Sequence, residues 1–385
     1  NDLSISDEAF EEIFEFFDKY QWHLDSRRTG NPNEINPDVL GYVFEQFVNN
    51  KDQGAYYTKE DITDYMTTNT LVVKLLSEIE KQCSINLFLP LVQNVERYIW
   101  PSLIYGQDQK SLLPDVSNSA EMEKKPSPLI GLPGESGWET LERLRYSDEV
   151  RLKLASGEVG EIADLVTLNI DLELLASDII DGLDTSEDVV RIWKILSSLK
   201  IIDPTCGSGA FLFAALNQLE HLYSILLDVA EMHEKSAKNL ELTLLLKDVK
   251  RHANRNYFVL KHAAQKNLFG VDLMKEATEI ARLRLFLKLI SAIDDFDDIE
   301  PLPDLEFNIK SGNLLIGITK SEKLIDYVSR LDALSFVEDI NNQVIHLADL
   351  WNNFTISQEE GHEKAKIAKK MLSNGTAILR KTLDN

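Results

Sequence analysis

Two carboxylates and two glycines are spaced so that together they could hold a ligand. Asp203 closes an apolar run (Leu199, Ile201, Ile202) and opens Pro204-Thr205-Cys206-Gly207-Ser208-Gly209-Ala210-Phe211. Asp272 closes a second run, Leu268-Phe269-Gly270-Val271, 69 positions later (272 − 203 = 69). Gly207 and Gly209 allow a turn with backbone angles closed to other residues, and they keep side chains off a bound molecule. An apolar helix starting directly after the turn aims free N–H groups and a positive dipole end into the same crevice. Such a crevice offers carboxylates to an ammonium or a diol, and N–H groups to an anion.

Two common ligands fit this pattern poorly. A P-loop carries Lys and Ser/Thr after its glycines, and this turn has no lysine. A dinucleotide turn has a third glycine and an acid about 20 positions on. Here Phe211-Leu212 stands at the glycine position, and the acid is much farther away. S-adenosylmethionine suits what remains: Asp203 for its amino group, the helix start for its carboxylate and Asp272 for its ribose. On pattern alone, a strand-to-helix turn with no ligand explains the glycines equally well.

The elements that must position these residues follow from periodicity. The run before Asp203 reads as a buried strand, and Ala210 to Leu227 as a helix packed on a sheet, the first half of a βαβ unit. Leu268 to Asp272 reads as a second parallel strand with its acid at the carboxyl end, where open α/β sheets bind ligands. Asp272 could instead cap the helix from Glu276 to Ile290. Pro301 to Phe307 leads to Ser311-Gly312-Asn313-Leu314-Leu315-Ile316-Gly317, where Asn313 is an acceptor or a turn former.

Upstream, Ser6-Asp7-Glu8 starts a helix running to His23, whose Phe10, Ile13, Phe14, Phe17 and Tyr20 read as a core face. Val39 to Phe47 is helical again. Thr58 with Asp61 would cap a helix through Leu76. The divisions are 1–100, helical; 101–138, a Pro- and Gly-punctuated loop or insertion; 139–198, helical; 199–319, the ligand-binding α/β part; and 320–385, a helical hairpin. Arg251, His252, Arg255, Lys261 and His262 read as a solvated face.

Composition sets limits. The 385 residues carry a net charge of −24, with a hydrophobic fraction of 44%. No run reaches transmembrane length. Cys83 and Cys206 have no partners at metal-ligand spacing, and two lone thiols fit a reducing cytoplasm. A DNA-gripping surface carries excess Lys and Arg, so such a surface is expected in a local patch or outside this chain.

Asp203 to Leu212 resembles motif I of the N6-adenine DNA methyltransferases. The branch it resembles is that of type IIG restriction-modification enzymes and of the phage-defence methyltransferases of BREX (PglX) and DISARM systems. Gly54-Ala55-Tyr56-Tyr57-Thr58 with Tyr65-Met66 resembles motif X, Leu268 to Asp272 motif II, and Ser311 to Gly317 the segment around motif III. Motif X ahead of motif I is the γ-class order. The resemblance implies an α/β fold: part of a Rossmann-like class I S-adenosylmethionine-dependent methyltransferase core, with an N-terminal helical domain and helical insertions. It implies cofactor contacts at Tyr57, Thr58, Asp203, Thr205, Gly207, Gly209, Phe211, Asp272, Leu273 and Asn313. It also implies DNA as partner, held through parts largely outside this chain, with other subunits of a defence system possible and no membrane. The family grips the target amine with Asn/Asp-Pro-Pro-Tyr/Phe. No Pro-Pro pair occurs in these 385 residues, so no catalytic residue is assigned and transfer by this stretch alone is not expected. Two rivals stay open: a methyltransferase acting on something other than DNA, and a non-catalytic scaffold subunit that binds the cofactor.

Overall fold

A computed structural model of the chain describes residues 6–22, 34–35, 58–234, 239–252, 254–293, 300–315, 333–360 and 362–384. The chain is mostly helical around one small parallel sheet. The longer helices are α1 (Asp7–Phe17), α2 (Glu60–Thr67), α3 (Val73–Gln82), α4 (Gly137–Ser156), α5 (Ile162–Thr167), α6 (Leu172–Asp181) and α7 (Ser186–Ser198). After them come α8 (Ala210–Glu234), α9 (Leu240–Val249), α10 (Arg255–Lys266), α11 (Lys275–Ile290), α12 (Ala333–Glu360) and α13 (His362–Asp384). A two-residue parallel pair joins β1 (Gln21–Trp22) to β2 (Glu34–Ile35). The sheet has the order β3 (Ile201–Asp203), β4 (Leu268–Asp272), β5 (Ile309–Ser311), all parallel.

Register brings the carboxyl ends of the strands together. Asp203 lies opposite Gly270, and Asp272 opposite Ser311. Two buried asparagines peg the strands to the helices before them. Asn267 donates to the carbonyls of Leu196 and Leu199 (both 2.8 Å), and its Oδ1 accepts from the Tyr223 hydroxyl (3.0 Å). Asn308 donates to Leu268 O (2.9 Å) and Gln265 O (3.1 Å). Backbone polar groups at a buried junction must be paired, and these amides do it.

One face of the sheet packs on α8, whose Leu212, Leu216, Leu219, Leu222 and Leu226 are fully buried. A side chain at Gly270 would meet Leu212 Cδ1 at 2.8 Å and Cys206 Sγ at 3.0 Å, so the strand can pack this closely only with glycine there. Among the described residues α8 is the one helix long and apolar enough to span a membrane, and 61% of its apolar window is buried in the protein. On the other face, Trp351 of α12 contacts Phe269 and Phe307, and Phe354 contacts Phe307. That cover is partial. Ile202, on the same side as Phe269, is 59% exposed, so β3 is not the fully buried strand its sequence suggests.

α12 and α13 form a helical hairpin, with Ala365 to Leu372 on its second helix. Gln343 bonds Thr382, and Gly375 nests against Leu347 and Leu350, which sets the two helices antiparallel. Lys369 ties the hairpin to Asp304 and Glu306 (both 2.5 Å).

Several local expectations change. The first helix has its Ser6 cap but ends at Phe17, and Trp22 lies in β1. Phe10, Ile13, Phe14 and Phe16 are 45–63% exposed, so no described residue gives this face the role of a core. Lys59, not Thr58, holds the cap position of α2, with no side-chain bond. A π-helical turn, Thr68–Val72, then joins α2 to α3. The stretch 101–138 is not an open loop. Its short helical turns bury Met122 and Ile130, and Arg143 of α4 gathers it. That guanidinium donates to the carbonyls of Tyr105 and Ile130 (both 2.8 Å) and pairs with Glu135 (2.7 Å).

Of the basic cluster, Arg251 is exposed as expected, but the others are not a plain solvated face. Lys261 is buried beside Glu300 (3.5 Å), which also meets His252 Nδ1 (2.6 Å). Arg255 pairs with Asp228 (2.8 Å). The His262 ring lies among Trp193, Tyr223 and Phe258, with Nε2 3.0 Å from Ser197 Oγ. Burial holds it down to about 3, and the Lys266 and Lys200 charges push the same way. The helix expected over Val39 to Phe47 and the apolar face Leu324 to Leu331 lie outside the described residues.

Candidate ligand-binding site

The turn after β3 is built by its glycines. Gly207 has φ +50° and Gly209 φ +85°, and a Cβ on Gly209 would come within 3.0 Å of Ala281 Cβ. Both demands, left-handed backbone and close approach of α11, are met by glycine. Cys206 N–H donates to Val271 O (2.9 Å), which locks the turn against β4. From below, Arg284 of α11 is buried and donates to Ser208 O (3.0 Å), its guanidinium over the Phe213 ring.

Asp272 joins three segments. Its Oδ2 accepts from Gly207 N–H (2.9 Å), its Oδ1 from Met274 N–H (2.8 Å), and its backbone carbonyl from Gly312 N–H (2.8 Å). The helix cap of α11 is Met274, so Asp272 closes the turn before that helix rather than capping it directly.

Asp203 differs from Asp272 in one respect. Its Oδ1 accepts from Thr205 N–H (3.0 Å), but its Oδ2 is buried and has no hydrogen-bond partner. Burial pushes this carboxyl above the usual carboxylate range, and the nearby Asp272 charge pushes it further. A buried, unsatisfied carboxylate oxygen is costly. A cationic donor placed against it would relieve both the missing bond and the repulsion between the two acids.

Thr205 is exposed and Phe211 half-buried. Leu273 is 73% exposed. Asn313 is exposed, and its Oδ1 accepts from Leu315 N–H (2.9 Å), so here it forms a turn. Thr58 lies beside Ala210, Phe213 and Arg284, at the start of α8 that follows the glycine turn. Tyr57 lies outside the described residues. Arg284, Ser208 and Asn308 support the turn and strands without having been singled out in the sequence. The one hint was an arginine, Arg284, set among the leucines of α11 two positions after Arg282. Among the described residues no group of three His, Cys, Asp or Glu side chains could hold a metal ion. A hollow of about 900 Å³ lies elsewhere, between α10 and the hairpin.

Residues 181–300, which include the glycine turn and both acids, match the family described as MmeI, DNA-methyltransferase domain. A curated relative from Methanocaldococcus jannaschii, whose name describes a type II restriction enzyme and methyltransferase, is 25% identical over 340 residues. That match takes in 82% of this chain and 20% of the relative, so the chain spans about a fifth of that protein's length. No solved structure matches the chain. The similarities are thus to DNA methyltransferases of restriction-modification type.

Proposed function

We propose that this chain carries the S-adenosylmethionine-binding part of an N6-adenine DNA methyltransferase, on a partial Rossmann-like class I core. The observation that carries the reading is the buried, unpartnered Asp203 Oδ2 facing Asp272 across a glycine turn at a helix start. In this arrangement Asp203 takes the cofactor's ammonium, and the first N–H groups of α8 take its carboxylate. Asp272 takes the ribose diol while still fixing Gly207. Phe211, Leu273 and Asn313 border the adenine end, and Thr58 with Tyr57 the methionine end. The cofactor supplies an activated methyl group. The protein's part is to hold it in one orientation and shield it from water.

The matched family and the named relative favour restriction-modification over BREX or DISARM defence as the setting. DNA is the partner this reading requires. The target adenine is held by a segment other than these residues, since no Pro-Pro pair is present to accept from its amine. A cytoplasmic location and contact with further subunits belong to the same reading.

Isothermal titration tests it directly. S-adenosylmethionine should bind more tightly than NAD or ATP. Tighter binding of either nucleotide would defeat the proposal.

A further inference from the structure

Two adjoining hollows flank α6. The first, about 470 Å³, lies between α2, α6 and α8; the second, about 520 Å³, lies along α6, and the two share Trp100 and Glu173. Their lining is acidic. Three carboxylates line the first, including Asp61 and Glu173, and four more are added in the second, against one guanidinium and one imidazole. The guanidinium, Arg97, is held by both oxygens of Asp178 (2.5 and 2.8 Å), Asp228 pairs with Arg255 from outside the hollow (2.8 Å), and His221 lies 3.8 Å from Glu173.

The first hollow also has unpaired acceptors on its wall. Gln218, 8% exposed, donates its amide to Glu173 Oε2 (3.0 Å), but its own Oε1 is buried without a partner. Asn217 Oδ1, next along the helix, is buried without a partner as well. Buried acceptors without donors are rare and point to a missing ligand or water. The adjoining α2–α3 junction is a π-helical turn, a feature frequent at functional sites.

A ligand here must donate hydrogen bonds, carry positive charge and tolerate aromatic walls. No three of these acids stand close enough for a metal ion. Their charge is spread over two hollows instead, which matches a cation whose charges are spread along a chain. Trp100 at the junction offers a face to methylene groups and to an ammonium.

We propose that the paired hollows bind a linear aliphatic polyamine. Its ammonium groups pair with Asp61 and Glu173 and donate to Asn217 Oδ1 and Gln218 Oε1, while its methylene chain lies along Trp100. Through Asn217 this site adjoins the hollow around Thr58 at the proposed methionine end, but it takes a different ligand and does not depend on that reading.

The experiment is calorimetric titration of the whole chain with spermidine. Parallel titrations use putrescine, magnesium chloride and a lysine-rich peptide, all at matched ionic strength. Spermidine should bind one to one, more tightly than putrescine. Asp61→Asn and Gln218→Leu should each weaken it about tenfold or more, the size of one charge-assisted hydrogen bond. Asp203→Asn should leave it unchanged. Asp61 is exposed, so Asp61→Asn decides the matter if Gln218→Leu fails to fold. Magnesium binding as well as spermidine would mean unspecific counterion attraction and overturn the proposal. So would binding of the peptide without binding of spermidine, or unchanged affinity in Asp61→Asn.

Discussion

Asp203→Asn should make the ligand-free protein more stable and a poorer binder of S-adenosylmethionine. The variant keeps an Oδ1 to accept from Thr205 N–H, so the turn geometry is preserved. What it removes is the charge on the buried, unpartnered Oδ2 beside Asp272. The folded-state pKa of Asp203 is raised. The stability tied to its neutral form is therefore complete below the unfolded-state pKa and is lost as pH rises through the folded one. Above that folded-state pKa the ionised group costs stability, by about 1–3 kcal/mol for an unsatisfied buried group. The amide should recover roughly 1 kcal/mol of that, or about 2 °C in melting temperature for a chain of this size. The gain should shrink in acid, where the wild-type carboxyl is itself neutral. Binding moves the other way. Losing the charge partner of the ammonium costs about 1.5–3 kcal/mol, roughly 10- to 150-fold in Kd. Thermal melts at pH 5 and pH 8 with and without ligand, plus titration calorimetry, measure both effects. A variant that melts several degrees lower without ligand, or binds S-adenosylmethionine with unchanged Kd, would refute the reasoning.

Three further outcomes are expected. Asp272→Ala should weaken S-adenosylmethionine binding by about 1.5–3 kcal/mol, and it should also lower the ligand-free melting temperature because Gly207 N–H and Met274 N–H lose their acceptor; a loss of stability with full affinity would leave Asp272 a purely structural role. Arg143→Met should cost about 1–3 kcal/mol, because the carbonyls of Tyr105 and Ile130 lose their donor and Glu135 keeps only Leu132 N–H and the Thr140 hydroxyl, seen as a lower melting temperature and faster tryptic cleavage after Lys124. His262→Phe should flatten the acid side of the stability curve. The native ring is held down to about 3 from 6.5, so the wild type loses stability as pH falls from 6.5 toward 3, and urea melts across that window should show a smaller loss in the variant.

The glycine turn, the two acid-ended strands and the long helix after the turn were legible because each is a local pattern. Left-handed backbone asks for glycine within one residue, a strand end for an acid one step later, and a helix for a repeat of three and four. Asp272 shows where local reasoning stops. Read as a choice between a ligand and the following helix, it looked like a conflict. The fold gives one oxygen to Gly207, 65 positions earlier, and the other to Met274. Arg284 is harder still, since an arginine on a helix reads as a surface residue until Ser208, 76 positions away, is placed beneath it. The sheet was over-read for the same reason. Ile202 has the apolarity of a buried strand, but what covers it depends on elements far away in sequence.

Charge gives the sharpest case of the same limit. A net −24 describes the chain at distances beyond the screening length, about 8–10 Å, and says nothing about shorter ones. Within that length Lys261 and His252 share Glu300, Arg255 meets Asp228 and Arg251 meets Asp248, so most of this basic cluster is met locally by acids. The carboxylates around α6 outnumber their cations, so part of the excess negative charge is concentrated there rather than spread evenly. Repulsion among them raises the free energy of the bare protein, and a bound cation lowers it. The local imbalance, rather than the total, therefore sets which ligands this surface selects.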